Sequence, residues 1–404
     1  MWDSRRRRIA ISLARLAASA LLVSATPVLR AQESSPVKQE NSYWVQTVTG
    51  SLDVASVAKL KVSTSGIIRL HGQEQPRLEY VLRKRARASA RQEAEQRLAA
   101  IAVRAERSGS ALVLAVTAAV LDASSLELDV RAPSRLPAAY LETLEGRIVV
   151  DGIGCSVVAE SGGGSVQADR IGGSFKARTV GGEIEVGAVA GQLRCVTGSG
   201  NIRAGRSGSE AWFDTAGGSV YVEEAMGPVH AVTGGGDIDI RRAGSSVWAR
   251  TGGGLIRILQ AFGPVDVESA GGSIQIGAAA GVRCQSASGG IRLRGVSGGL
   301  NVSTSAGSIL AELLGGAAIR DSFLNTNSGD ITIQIPSNLA VTVSALNYSP
   351  GRRGRIISDF PEINVQVPAR SGGAPVIAEG ALNGGGPVLK IAAAEGTIFL
   401  RRQK

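Results

Sequence analysis

Cysteine, histidine and aromatic residues are scarce in this chain. Its 404 residues include 3 Cys, 2 His and 2 Met, and aromatics make up only 4%. So few soft ligands, without metal spacing, exclude a zinc site and a disulfide-stapled scaffold. A Gly-X-Y period is missing although Gly occurs 53 times, which excludes a collagen-like rod. Beyond the N-terminal segment no apolar run reaches the ~20 residues of a membrane-spanning helix, so no transmembrane span is expected in the processed chain. A coherent basic face is also lacking. The formal charge of +10 owes six arginines to the first 31 residues, and half of the excess leaves if that segment is removed. Nucleic acid is therefore not an expected partner.

The first 31 residues read as a processing segment. Arg5 to Arg8 form a basic run, Ile9 to Val23 are mostly Ala, Leu, Ile and Val, and Leu29-Arg30-Ala31 supplies a small-residue cleavage point. This pattern predicts a signal peptide over 1–31, then a linker over 32–42. Export follows, to the periplasm or the cell surface.

What the chain has in abundance is a repeat. Ile148, Val166, Ile184, Ile202, Val220, Ile238, Ile256, Ile274, Ile291, Ile309 and Ile331 form a row whose steps are 18 residues seven times, then 17, 18 and 22. A second apolar row lies two residues further on, from Val150 to Ile333. Apolar residues two apart share one face of a strand. Half a period away a second strand repeats Val157, Phe175, Leu193, Ala211, Val229, Val247, Val265, Val282 and Leu300. It is followed by an almost purely hydroxyl row from Thr143 to Thr304, suited to bonding the backbone at a turn. A fixed period with two short strands predicts coils stacked in parallel, ~4.8 Å apart. Glycines cluster between the strands, where the chain reverses and a left-handed backbone is expected.

The expected fold is thus all-β: a two-sided parallel β-solenoid of about 18-residue coils over 136–345. A small α+β cap of strand, helix and hairpin precedes it over 43–135. Within that cap, Leu60 to Leu70 looks like one early coil, and Ala90, Ala94 and Leu98 fall at helical spacing. A strand and loop cap follows over 346–404, with a closing coil that carries Leu389, Ile391, Ala393, Ile398 and Leu400.

The glycine-rich turns invite two chemical readings, and neither survives. A calcium ladder needs an acid in every turn, but Asp237 is followed at its column by Leu255 and Ser273. A phosphate cradle needs a helix after the glycines, and here another strand follows. In the expected register Cys195 and Cys284 lie five coils apart, roughly 24 Å, and Cys155 occupies another column. Three free, buried thiols are expected.

The N-terminal unit, the coils SGGGSVQA, VGGEIEV, TGGGDIDI and SGDITI, and the tail with SDFPE, AEGALNGGGP and GTIFL together resemble the bacterial putative-adhesin family of unknown function. The likeness spans roughly residues 43–404. It implies an exported β-solenoid of the cell envelope and supplies no catalytic residues.

One outward column stands apart: Arg194, Trp212, His230, Trp248 and Asp266 in successive coils, with Arg250 and Glu268 beside it. Exposed aromatic faces two coils apart, near carboxylates and guanidiniums, suit contact with sugar rings. Trp212, His230 and Trp248 are therefore the candidate contact strip, with Arg194, Arg250 and Asp266 as polar partners. Its partner would be a polysaccharide or another cell-envelope component, a protein included. The alternative is a polysaccharide-degrading enzyme using Asp266 and Glu268, which alternate ~7 Å apart on one face. A surface ladder that only stabilises the sheet is the plainest account of the same residues. The sequence points to no catalytic residue, no cofactor and no metal.

Overall fold

The computed structural model describes residues 26–27, 30–117, 125–315, 319–348, 355–368 and 374–403. Most of the expected signal peptide lies outside these residues. Thr26–Pro27 pairs with Ala102–Ser108; Arg30–Ser34, which begins inside the expected signal peptide, and Lys38–Glu40, within the expected linker, are both antiparallel to Tyr43–Asp53.

The alternation of β-branched and polar residues produces the predicted strands. Val220–Ala225, Ile238–Ala243 and Ile256–Ala261 lie side by side in parallel, with Val220 opposite Ile238 and Ile238 opposite Ile256. Val229–Thr233, Val247–Thr251 and Val265–Ser269 do the same on the other wall. The inward rows are buried along the whole stack and merge into one core. A coil alone buries almost nothing; its neighbours supply the apolar contacts, so the register is fixed by every inward side chain at once. Cys155, Cys195 and Cys284 are free and sit in this core as expected. Burial raises the Cys155 thiol to about 11 and pushes the other two higher still.

The hydroxyl row closes each turn. Thr233 Oγ1 donates to the Gly218 carbonyl one coil back at 2.7 Å and accepts from the Gly236 N–H at 3.1 Å. The same pair of bonds recurs at Thr179, Thr197, Thr215 and Thr251. Buried turn groups that would otherwise lack partners are thereby satisfied. A second polar ladder runs through Asn201, Ser219 and Asp237, each accepting the backbone N–H of the residue 18 later. Asp237 thus holds the Leu255 N–H at 2.7 Å.

The repeat glycines serve a different purpose from the one expected. Gly218, Gly236 and Gly254 do not have positive φ. A Cβ at Gly236 would stand 2.2 Å from the Gly218 carbonyl oxygen, which no packing allows. Glycine is required because stacked turns approach backbone to backbone, not because the chain turns left-handed.

Both ends depart from chain order. Lys59–Thr64 and Ile67–Gln73 form a coil, but it is inserted between two later ones. Ala111–Thr117 and Leu126–Pro133 lie on its outer side, and Ala138–Thr143 and Ile148–Asp151 on its inner side. Antiparallel strands Ala102–Ser108 and Arg77–Ala86 seal the outer layer. Helix α1, Arg91–Ala99, packs Ala94 and Leu98 inward, and the buried Lys84 ammonium caps its end by donating to the Leu98 and Ile101 carbonyls. At the other end, Val388–Glu395 and Thr397–Arg402 make the closing coil. It lies one layer in, between Ser322–Ser328 with Ile331–Ile335 on one side and Val341–Asn347 with Arg355–Ser358 on the other. Val376–Leu382 then seals Val341–Asn347 in antiparallel fashion.

Candidate functional site

Stacking converts the sequence column into a continuous strip. Arg194 lies opposite Trp212, Trp212 opposite His230, His230 opposite Trp248, and Trp248 opposite Asp266. These outward positions follow from the alternation that sends Leu193, Ala211, Val229, Val247 and Val265 inward.

The side chains touch in series. The Arg194 guanidinium sits 5.0 Å from the centre of the Trp212 ring. Trp212 and His230 are stacked at 5.0 Å with 18° between their planes, and His230 and Trp248 are tilted by 44° at 6.1 Å. Arg250 lies 4.8 Å over Trp248 and forms ion pairs with Glu268 and, at 3.8 Å, with Asp266. Glu210 approaches His230 Nε2 at 3.6 Å. All six candidate residues are brought together.

One expectation about their orientation does not hold. Trp212 and His230 do not turn flat faces to solvent; they stack along the rod. The ~4.8 Å between strands is close to the distance at which rings stack, so a neighbouring coil satisfies each face. The strip is half-buried and presents ring edges over much of its length. Asp266 and Glu268, the pair of the enzymatic alternative, both engage Arg250.

At Trp248 the strip opens into a cleft of about 860 Å³. Trp248 and Asp266 form one side, Arg320 and Asp321 contribute to the lining beyond them, and Gly281, Gly298 and Gly299 line it without side chains. Gly281 and Gly298 have φ of +111° and +76°, so here glycine does provide a left-handed backbone. The cleft lies where the corner of the solenoid changes form, because the chain still passes from one wall to the other but does so without leaving the β-pairing. Ile274–Ser286 and Ile291–Ala306 run on as single long strands, with register shifts at Ala280/Val282 and Leu293/Val296. The one 17-residue step and the later 22-residue step mark this place in the sequence.

The opposite wall carries a smaller recess of about 430 Å³ that includes Arg203, Tyr221, Asp239 and Arg257. Asp239 and Arg257 form a surface ion pair at 3.5 Å. Among the described residues no group of three or more His, Cys, Asp or Glu could hold a metal ion, and no helix is long and apolar enough to cross a membrane.

Residues 192–349 match the Toastrack DUF4097 family model. This segment contains the whole strip and the cleft. Among solved structures, a putative cell adhesion protein from Clostridium sporogenes ATCC 15579 is 9% identical, with 89% of this chain and 100% of that chain covered, at a TM-score of 0.20. A putative adhesin from Bacteroides fragilis NCTC 9343 is 14% identical, with 71% and 95% covered, at a TM-score of 0.28. Neither superposes closely enough to inform fold or function. No curated protein matches the chain.

Proposed function

We propose that the protein, whose residues 192–349 match the Toastrack DUF4097 family model, is a non-catalytic, exported, adhesin-like β-solenoid that recognises carbohydrate at the cell envelope. The observation that carries this reading is the Trp212–His230–Trp248 strip and its opening into a cleft walled by Trp248. A rigid ladder fixes the aromatic wall before any ligand arrives, which lowers the entropic cost of binding. The polar partners are Arg194, Arg250 and Asp266; the ring contact is made at Trp248, and Trp212 and His230 hold that ring in place.

Glycan-array binding by the purified chain tests the proposal. Binding without release of reducing ends is expected. A Trp212→Ala/Trp248→Ala variant should lose it while the far-ultraviolet spectrum stays that of the parent. Unchanged binding by that variant would contradict the strip. Release of reducing ends that disappears in Asp266→Asn would instead establish the polysaccharide-degrading alternative.

A further inference from the structure

The charges around the cleft are unequal in a way that bears on its ligand. Asp266 is held by Arg250, and Asp321 Oδ1 accepts the Val388 N–H at 2.8 Å. Both carboxylates of the lining are thus already engaged. Arg283 and Arg320 are exposed and line the same cleft, and among the described residues neither forms an ion pair or a side-chain hydrogen bond. The strip's own arginines differ, since Arg194 and Arg250 lie on rings or carboxylates. Arg283 follows Asp266 in the outward column and lies opposite Asn301 in the next coil, while the Arg320 N–H is bonded to Gly298 on the cleft floor.

An unengaged guanidinium presents a planar fork of donors that matches a carboxylate. Two of them beside one aromatic wall, over a floor without side chains, suit a ring that carries an acid. We propose that the cleft binds a uronic-acid polysaccharide, with carboxylates on Arg283 and Arg320 and a sugar ring against Trp248. This rests on the carbohydrate reading above and narrows it to an acidic class.

The test uses two probes with one backbone: polygalacturonate and its methyl ester, titrated against the full chain at fixed salt. The parent should bind the acid form at least about tenfold more tightly, the scale of a charge-assisted contact. Arg283→Gln/Arg320→Gln should erase that preference and leave binding of the ester unchanged. Trp248→Ala should weaken both probes. Arg104→Gln/Arg292→Gln, which removes equal charge from exposed positions elsewhere, should keep the preference. Equal affinity of the parent for both probes, or a preference that survives loss of Arg283 and Arg320, would overturn the acidic assignment and leave the carbohydrate reading standing. The same holds if neither probe binds but the array finds a neutral glycan. Loss of preference in the Arg104/Arg292 variant would reduce the effect to bulk charge. An unaltered Trp248→Ala would remove the ring contact.

Discussion

Coils between 148 and 269 stack in the order in which they are made, whereas those from 274 to 402 do not keep to the pattern. Past Ile148–Asp151, which meets Ile67–Gln73 on one side, each strand of the first region pairs with the strands one period before and after it. In the second, two long strands carry the pairing round the corner beside a cleft, and the terminal coil is tucked between two earlier segments. The contrast separates two tasks. Uniform repetition builds a rigid wall from contacts between sequence neighbours, as in other repeat proteins. Departures from repetition create concavity and fasten the end. The hydrogen bond from the Thr397 N–H to Asp330 Oδ1 spans 67 residues of chain. Contacts of that range make unfolding of the end layers a joint event instead of fraying from a free terminus.

The most severe way to probe this difference is to delete 388–403. That removes the buried Leu389, Ile391, Ile398 and Leu400, each worth about 1.5–3 kcal/mol of burial, and leaves two layers without a partner between them. Amide exchange should show protection lost over 322–347 and kept over 148–269. Within the regular stack, Phe213→Ala should cost about 3–5 kcal/mol, read from the denaturant midpoint, because Phe213 is fully enclosed. A finer comparison lies inside one turn. Gly236→Ala should lower stability by about 1–3 kcal/mol through overpacking. Gly235→Ala, with nothing within 4 Å of a new Cβ, should change it by less than about 0.5 kcal/mol. Equal effects at the two positions would mean that stacked turns are not in backbone contact. Thr233→Val keeps the shape but removes the three hydroxyl bonds, so a loss of about 1–3 kcal/mol is expected. The last comparison concerns pH. Cys155 titrates at about 11 when folded and at about 8.5 when unfolded, so the folded state resists ionisation. Its contribution is intact below the unfolded value and is lost as pH climbs through the interval. A Cys155→Ala variant should show a slightly flatter stability profile between those limits.

The regular region was legible in the sequence because its period records which residues become lateral neighbours. Val220 meets Ile238, and Arg194, Trp212, His230, Trp248 and Asp266 form one column, as alternation and an 18-residue step require. Ring orientation was not legible. It depends on the ~4.8 Å between strands, which lets Trp212 and His230 satisfy each other's faces. The purpose of Gly236 was hidden for a related reason, since a residue's own turn does not show that another backbone lies against it. Layer order was the deepest omission. Leu389 and Ile398 announce a coil by spacing, but spacing cannot tell which exposed edge that coil will complete. The cleft left a trace in the 17- and 22-residue steps, and irregularity in a repeat is where such sites are best sought.

The claim that a coil's place is set by the edges it completes, and not by its turn in the chain, is open to direct measurement. Thr332 lies opposite Phe399, and Phe399 lies opposite Ile357. Two double variants, Thr332→Cys/Phe399→Cys and Thr332→Cys/Ile357→Cys, can be oxidised and analysed by mass spectrometry; the native thiols are buried and stay out of reach. The tucked arrangement predicts a disulfide in the first variant and none in the second, whereas a bond between positions 332 and 357, with none to 399, would show that the layers follow chain order after all.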